Sequence, residues 1–441
     1  MEQKETGFNQ LACLLLLLLL PLSQHWLLWR RDFPGVHYEP TSLAVYLSDG
    51  AVLLLVGLAW FYPHPAGRSS PWLTSPLLAL TILAGLSSLW ALDSGLALLL
   101  AGRLWLLWLL LGAWGRLRPL PHIIQIGAGL SLGGQAVVAL LQFGRQGDLG
   151  LRWLGEQSLN PYPGGGSILT VGEHYWLRGY GLTPHPNILG GILVAFLFIL
   201  LVAYLNSRGQ ARWGWLALLA VGMGGLLVSF SRSAWLGGLV GGSFFVLLLL
   251  GRTEWRDQYG RSLLPLLLMT GLLLGGFVSS QGHLLLARTS PDQSISESRS
   301  LNERQELARI ARYFFSQQPM TGIGANNFAV AAIPLAASLT GVAPQPDHHL
   351  PRLLAVELGG PGGLLWLWLM IWPVGAALLA WWHGRLTIWV LALTAALLAL
   401  AVVDCFDYYS WGWPQGRLLR WTLWALWIYF RNTEILVMRQ T

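Results

Sequence analysis

Charged residues are scarce in this sequence. Only 11% of its 441 residues are Asp, Glu, Lys or Arg, whereas a soluble domain typically carries about 25%. Hydrophobic residues make up 54% of the chain, so too little polar surface remains to cover a water-soluble body of this size. The composition therefore excludes a soluble globular enzyme and favours a protein whose main solvent is lipid.

Lysine and cysteine are also nearly absent. Lys4 is the only lysine, and arginine carries almost all the positive charge of a chain with a formal net charge of +7. A guanidinium binds phosphate bidentately, although a GC-rich genome would also produce an arginine bias. The 2 cysteines, Cys13 and Cys405, lie far apart in apolar segments, so neither a disulfide framework nor a metal–thiolate site is indicated.

The N-terminus lacks a clear signal-peptide pattern. Residues 11–22 are apolar like a signal-peptide core, but Glu2 and Glu5 dilute the positive charge of Lys4, and no A-x-A cleavage site follows. We expect an uncleaved first span.

Long apolar runs are abundant, and the 25 tryptophans suit a chain with many membrane interfaces. A helix needs roughly 20 apolar residues to cross the hydrocarbon core. We predict an all-α polytopic membrane protein with about twelve transmembrane helices, at 11–29, 43–62, 75–92, 95–114, 121–142, 187–206, 212–229, 233–250, 262–280, 357–382, 386–405 and 416–430.

Arginines in the short loops indicate the orientation. With both termini in the cytoplasm, the inner loops hold most of these arginines, as the positive-inside rule requires. The predicted parts are an N-terminal bundle at 1–142, an extracytoplasmic loop at 143–186, central helices at 187–280, a large extracytoplasmic loop at 281–356 and C-terminal helices at 357–441.

The large outer loop is expected to contain an amphipathic helix. Ser300 and Glu303 fit a capping box, and Leu307, Ile310 and Phe314 follow at helical spacing. We expect this helix to lie along the membrane surface.

Two arginines stand beside predicted outer helix ends. Arg178 precedes the sequence His185-Pro-Asn187 at the start of a span, where a helix N-terminus offers an anion site. Arg232 interrupts a long apolar stretch and is flanked by serines. Either arginine could instead be an interfacial side chain that extends to water.

Two adjacent histidines, His348 and His349, close the outer loop before Glu357. Histidine can accept a proton at neutral pH, so either could be a general base. A structural histidine is the plainer interpretation. A metal site with Asp347 is disfavoured because adjacent ligands point apart and no second cluster is visible.

These segments, in this order, resemble the O-antigen ligase and O-antigen polymerase superfamily. The matching pieces are the Arg178 to Asn187 segment, Ser229-Phe-Ser-Arg232, Asn302-Glu-Arg304 with Pro319-Met-Thr-Gly-Ile-Gly324, and His348 to Gly359. Each motif alone is weak, but the ordered set is fairly specific.

The resemblance implies a GT-C-like, metal-independent glycosyltransferase that needs no cofactor and acts on the periplasmic side of the bacterial inner membrane. The donor would be an undecaprenyl-diphosphate-linked glycan, and the acceptor a glycan or lipid; no nucleic acid is implied. His348 would be the base, and Arg178, Arg232 and Arg304 would bind the diphosphate. Four further residues would be architectural: Asn187, Glu357, Gly322 and Gly324.

Two departures from the family pattern leave points open. The family usually has His-Asn where this chain has His348-His349, so either histidine could act. Arg352 replaces a usual apolar residue, which would suit a different acceptor or an extra phosphate contact.

The motifs do not separate a ligase from a polymerase. A bicarbonate-like small-anion transporter is the alternative class, since some superfamily members carry that name. A component of a polysaccharide-export cluster is a third interpretation. The absence of an internal repeat and the outer location of the candidate residues favour the enzyme.

Overall fold

A computed structural model describes residues 2–33, 39–61, 71–162, 166–289, 295–336 and 343–438. The structure is 76% helical, with 16 helices and little sheet. Its helices are α1 Glu2–Leu19, α2 Leu47–Phe61, α3 Pro71–Leu86, α4 Ser94–Leu117, α5 Pro121–Arg145, α6 Pro186–Asn206, α7 Gly209–Val228, α8 Arg232–Leu250, α9 Thr253–Thr289, α10 Ile295–Gln317, α11 Phe328–Ala331, α12 Ile333–Ala336, α13 Leu350–Trp382, α14 Ile388–Asp404, α15 Tyr409–Gly412 and α16 Pro414–Met438.

Twelve of these helices overlap the twelve predicted spans. Seven described helices are long and apolar enough to cross a bilayer, and four more are apolar but shorter. The predicted class, an all-α polytopic membrane protein, is confirmed.

The first predicted span is wrong in its second half. Helix α1 ends at Leu19, just before Pro21, which cannot donate a backbone hydrogen bond. The apolar residues that follow form strand β1, His25–Trp29, which pairs antiparallel with β2, Leu43–Tyr46. The run therefore continues as a hairpin, because its backbone groups find partners in a second strand. A second hairpin joins β3, Ile168–Val171, to β4, His174–Leu177.

Two expectations for the large outer loop also need correction. Helix α10 begins at Ile295, so Ser300 lies within the helix and not at its N-cap. The buried residues Leu307 and Ile310 belong to the main core, and Phe314 makes an edge contact with Phe328 at 5.9 Å between ring centroids. The apolar face of α10 therefore packs on the protein itself.

Helices α6 and α14 form the centre of the bundle. Both are apolar on all sides, which is typical of buried helices. Nearly every residue of each helix is buried. Gly237 and Gly241, one helical turn apart on α8, allow that helix to approach α14 closely. A Cβ atom there would stand 2.5 Å and 2.6 Å from the carbonyl oxygens of Ala399 and Ala395.

Helix α13 is kinked near its start, where Gly359 adopts φ 74° and ψ 179°. The turn that contains Gly322 and Gly324 packs into this kink: Ile323 N donates to Val356 O at 2.9 Å, and Gly360 N donates to Pro319 O at 2.7 Å. The turn thereby fixes the first segment of α13, which follows His348 and His349.

We predict that Gly322→Ala destabilises the fold by at least about 2 kcal/mol, because Gly322 has φ +68° and an added Cβ would lie 2.5 Å from the backbone of Glu357. Gly375→Ala is the matched control, since Gly375 lies in α13 with nothing within 4 Å of an added Cβ. Thermal unfolding in detergent measures both. An unchanged melting temperature for Gly322→Ala would contradict this account of the turn.

Candidate functional site

The candidate site lies where several helix ends meet at one end of the bundle. The contacts that bring them together are Arg178 to Ser229 after α7, Asn187 of α6 to Asp407 after α14, and Arg232 of α8 to Arg288 near the end of α9. The predicted outer ends of these helices therefore share one region.

Arg178 is buried, with 2% of its surface exposed, and its guanidinium is held by protein oxygens. Its Nε donates to Ser229 O at 2.8 Å, Nη1 to Ser167 Oγ at 2.8 Å, and Nη2 to Asn187 Oδ1 at 2.7 Å. Asn187 Nδ2 in turn donates to Asp407 Oδ2 at 2.7 Å. The chain Arg178–Asn187–Asp407 thus joins the first long loop to the segment after α14.

Arg304 lies on α10 and points toward the same region. Its charge acts on His348 and His185, and it opposes the burial that raises the pKa of Asp407. Its Nε is buried and has no hydrogen-bond partner within the part of the chain that the structure describes. A buried donor without a partner is costly, so this atom is suited to a ligand oxygen.

Arg232 and Arg288 are adjacent. Arg232 Nη1 donates to the backbone oxygen of Arg288 at 2.8 Å, across the gap between the start of α8 and the end of α9. The charge of Arg288 acts on His185, as do those of Arg178 and Arg304. The region is therefore strongly cationic.

His348 stands beside this cationic group, with its ring edge-on to Tyr408 at 5.1 Å between centroids. Burial, and secondarily the charge of Arg304, lowers the pKa of His348 to about 3. Its Nδ1 is buried and forms no hydrogen bond with any described residue. His348 is therefore neutral at physiological pH.

His349 has a different role in the local structure. It is the N-cap of α13, and its Nδ1 accepts the backbone N–H of Arg352 at 3.2 Å. Arg352 in turn forms a bidentate ion pair with Asp347. Its Nε donates to Asp347 Oδ2 at 2.5 Å, and its Nη2 donates to Asp347 Oδ1 at 2.8 Å. The carboxylate of Asp347 therefore already engages Arg352, the residue that departs from the family pattern.

Glu357 lies on α13, with 2% of its surface exposed. Its carboxylate accepts from Trp411 Nε1 at 2.9 Å, Asn326 N at 2.9 Å and Phe328 N at 3.3 Å. Its backbone oxygen accepts from Gly324 N at 2.9 Å. Glu357 thus joins α13 to α15 and to the turn after α10, in a position that supports the wall of the site.

Sequence reasoning did not assign His185, Arg288, Asp407 or Tyr408 to the site. His185 stood in a quoted motif without a role. Arg288 falls in the predicted outer loop 281–356, although the structure places it in the last turn of α9. Asp407 and Tyr408 lie about sixty residues beyond His348 in a segment without a motif. No local signal marks the last three. The packing of α9 against α7 and α8 brings Arg288 close, and the packing of α14 against α6 brings Asp407 and Tyr408 close.

Within the described ranges, no group of three or more His, Cys, Asp or Glu side chains is arranged to hold a metal ion. Several arginines contribute positive charge here, and the Asp407 carboxylate already accepts from Asn187, which suits an anionic ligand.

Fold and site together define a multi-pass membrane protein with a cationic, histidine-bearing site at one end of its helix bundle. The O-antigen ligase family model matches residues 216–367. This match confirms, over these residues, the predicted resemblance to the O-antigen ligase superfamily. None of the curated proteins compared with the chain matches it.

The match supports an O-antigen ligase-type membrane enzyme, and the family implies lipid-linked glycan substrates. The matched range contains Arg232, Arg288, Arg304 and His348, whereas Arg178 lies before it and Asp407 after it.

The lowered pKa of His348 predicts a pH-dependent stability. Its pKa in the unfolded chain is near 6.5, so the folded protein binds fewer protons there and loses stability as the pH falls below that value toward 3. Between pH 7 and pH 5 we expect His348 to account for a loss of about 2 kcal/mol.

Comparison of melting temperatures at these two pH values for the wild-type protein and His348→Gln isolates this contribution. The wild-type protein should lose more stability on acidification than the variant, because Gln does not titrate. Equal losses would show that His348 is not buried as a neutral imidazole.

Proposed function

We propose that this protein transfers a glycan from an undecaprenyl-diphosphate donor to an acceptor hydroxyl at the outer face of the bacterial inner membrane. The hydroxyl oxygen attacks the anomeric carbon, the bond from that carbon to the diphosphate oxygen breaks, and the hydroxyl proton passes to His348. The lipid diphosphate leaves. The observation that carries the proposal is a neutral histidine with an unpartnered buried nitrogen beside Arg304, within an O-antigen ligase domain.

The hydrogen bonds of the two histidines favour His348 as the base. An imidazole nitrogen that accepts a backbone N–H has no free lone pair, and the other nitrogen of a neutral ring then carries the proton. His349 is in this state because Arg352 N donates to its Nδ1. His348 Nδ1 has no such donor among the described residues, so a lone pair of His348 is unoccupied. The negative charge of a bound diphosphate opposes the burial and the Arg304 charge that lower the pKa of His348 in the ligand-free site, so His348 becomes a better base when the donor is bound.

Arg304 is the strongest candidate for a direct contact with the diphosphate, because its buried Nε has no protein partner in the described chain. Arg288 and Arg232 add positive charge nearby. Preorganised cations of this kind stabilise negative charge as it develops on a leaving group.

Arg178 fits an indirect role better than the direct phosphate contact expected from the sequence. All three guanidinium nitrogens donate to protein oxygens at 2.7–2.8 Å. The side chain is only 2% exposed, so little of the guanidinium is open to a diphosphate. We therefore propose that Arg178 adds positive electrostatic potential to the site and positions Asn187 and Ser229 through its hydrogen bonds.

The distribution of arginines supports an outer location for the site. The opposite helix ends carry a larger number of arginines in short connections, as cytoplasmic loops do. They are Arg116, Arg118, Arg208, Arg212, Arg252, Arg256, Arg261 and Arg385. Cytoplasmic N- and C-termini follow from this orientation. A site at the helix ends, away from the middle of the bundle, also favours an enzyme over a transporter.

His348→Ala should lower kcat for glycan transfer on the order of 100-fold or more, because general base catalysis contributes that much. His349→Asn should retain activity, because Asn is a good N-cap and can accept the N–H of Arg352. Transfer from purified lipid-linked donor in detergent measures both. Full activity of His348→Ala together with loss in His349→Asn would reverse the assignment of the base.

Arg304→Ala should weaken binding of undecaprenyl diphosphate on the order of 100-fold, because a charge-assisted contact in a partly buried site is lost. Arg309→Ala is the matched control on the same helix. Its side chain is 67% exposed and pairs only with Glu306 among the described residues, so affinity should stay within about twofold. Equal affinities of the two variants for undecaprenyl diphosphate would contradict a contact between Arg304 and the diphosphate.

A further inference from the structure

His185 lies at the edge of the site, and the mechanism above does not use it. It is the N-cap of α6, where its Nδ1 accepts the backbone N–H of Asn187 at 3.1 Å. Its backbone oxygen accepts from Ile188 N at 3.0 Å and from Leu189 N at 3.2 Å. The ring orientation is thus fixed by the first turn of a buried helix.

This hydrogen bond determines which nitrogen carries the proton. Since Nδ1 accepts an N–H, its lone pair is occupied and the ring is neutral, with its hydrogen on Nε2. The hydrogen bond from Asn187 is the one made by the His185 ring among the residues that the structure describes, and Nε2 is not among the buried atoms without a partner. His185 is half-buried, so its Nε2–H remains available as a donor of fixed direction.

The surroundings of His185 identify the ligand this donor suits. The charges of Arg178, Arg288 and Arg304 all act on the ring. The N-terminus of α6 adds a partial positive charge at the same place. The ring therefore lies in a strongly positive field, which attracts an anion.

We propose that the Nε2–H of His185 donates a hydrogen bond to a phosphate oxygen of the lipid diphosphate. This inference rests on the proposed function, because it adds a second protein element, the start of α6, to the diphosphate site. No proton transfer is involved. The hydrogen bond strengthens as negative charge develops on the leaving diphosphate, so it contributes to the transition state as well as to binding.

Two substitutions separate the donor from the cap. In His185→Asn, the amide lies where Nδ1 was, so its oxygen caps α6 while the Nε2–H is lost. In His185→Gln, the amide nitrogen reaches the position of Nε2, but no acceptor remains at the position of Nδ1, so the capping hydrogen bond from Asn187 N is lost. One variant therefore removes the proposed contact and the other removes only the local structural role.

The measurements are the melting temperature, the affinity for undecaprenyl diphosphate, the affinity for undecaprenol, and kcat and KM for glycan transfer. His185→Asn should keep its melting temperature and its affinity for undecaprenol, but bind undecaprenyl diphosphate on the order of 10-fold more weakly and show a lower kcat. His185→Gln should lose a few degrees of melting temperature and keep most of its affinity for the diphosphate.

The inference fails if His185→Asn binds undecaprenyl diphosphate as the wild-type protein does. It also fails if affinity in both variants falls in step with their melting temperatures, since that result shows only a structural role. If the wild-type protein binds the diphosphate but transfers no glycan, the proposed function fails while the binding data still decide the role of His185.

Discussion

The buried guanidinium of Arg178 holds together the end of the bundle where the candidate site lies. It bonds to Ser167 in the first long loop, to the backbone of Ser229 after α7, and to Asn187 in the first turn of α6. Asn187 extends the network to Asp407 after α14. A buried charge is costly unless hydrogen bonds satisfy it, so these four segments have little freedom to separate without exposing an unpaired arginine.

A second network positions the histidines from the other side. The carboxylate of Glu357 accepts three hydrogen bonds from Trp411 and from the backbone of Asn326 and Phe328. The kink at Gly359 and the turn around Gly322 pack directly against each other. The start of α13 is therefore rigid, and the side chains just before it are held near α10 and Tyr408. The hydrogen-bonded side chains of Arg178 and Glu357 thus form a rigid support around the site. Arg304 Nε and His348 Nδ1, which have no partner among the described residues, remain for the substrate.

Much of the architecture was accessible from the sequence because lipid imposes a simple rule. A spanning segment must be long, apolar and helical, so each of the twelve predicted spans overlaps a helix, although several helix ends differ and residues 43–46 of the second span form β2. The failure at residues 20–29 has a physical cause. Apolar composition does not distinguish a helix from a strand when a second segment, here β2, supplies the hydrogen bonds.

By itself, the sequence determined the class of protein, the approximate helices, the resemblance to the O-antigen ligase superfamily, and a candidate set around Arg304 and His348. It did so because hydrophobic run length and ordered motifs are local properties of the chain. Only the tertiary structure decided which nitrogen atoms are free. Arg178 is bound to three protein oxygens, His349 and His185 cap helices, and Asp407 and Arg288 join the site from distant segments. These distinctions depend on hydrogen bonds between residues far apart in sequence, which no local pattern encodes.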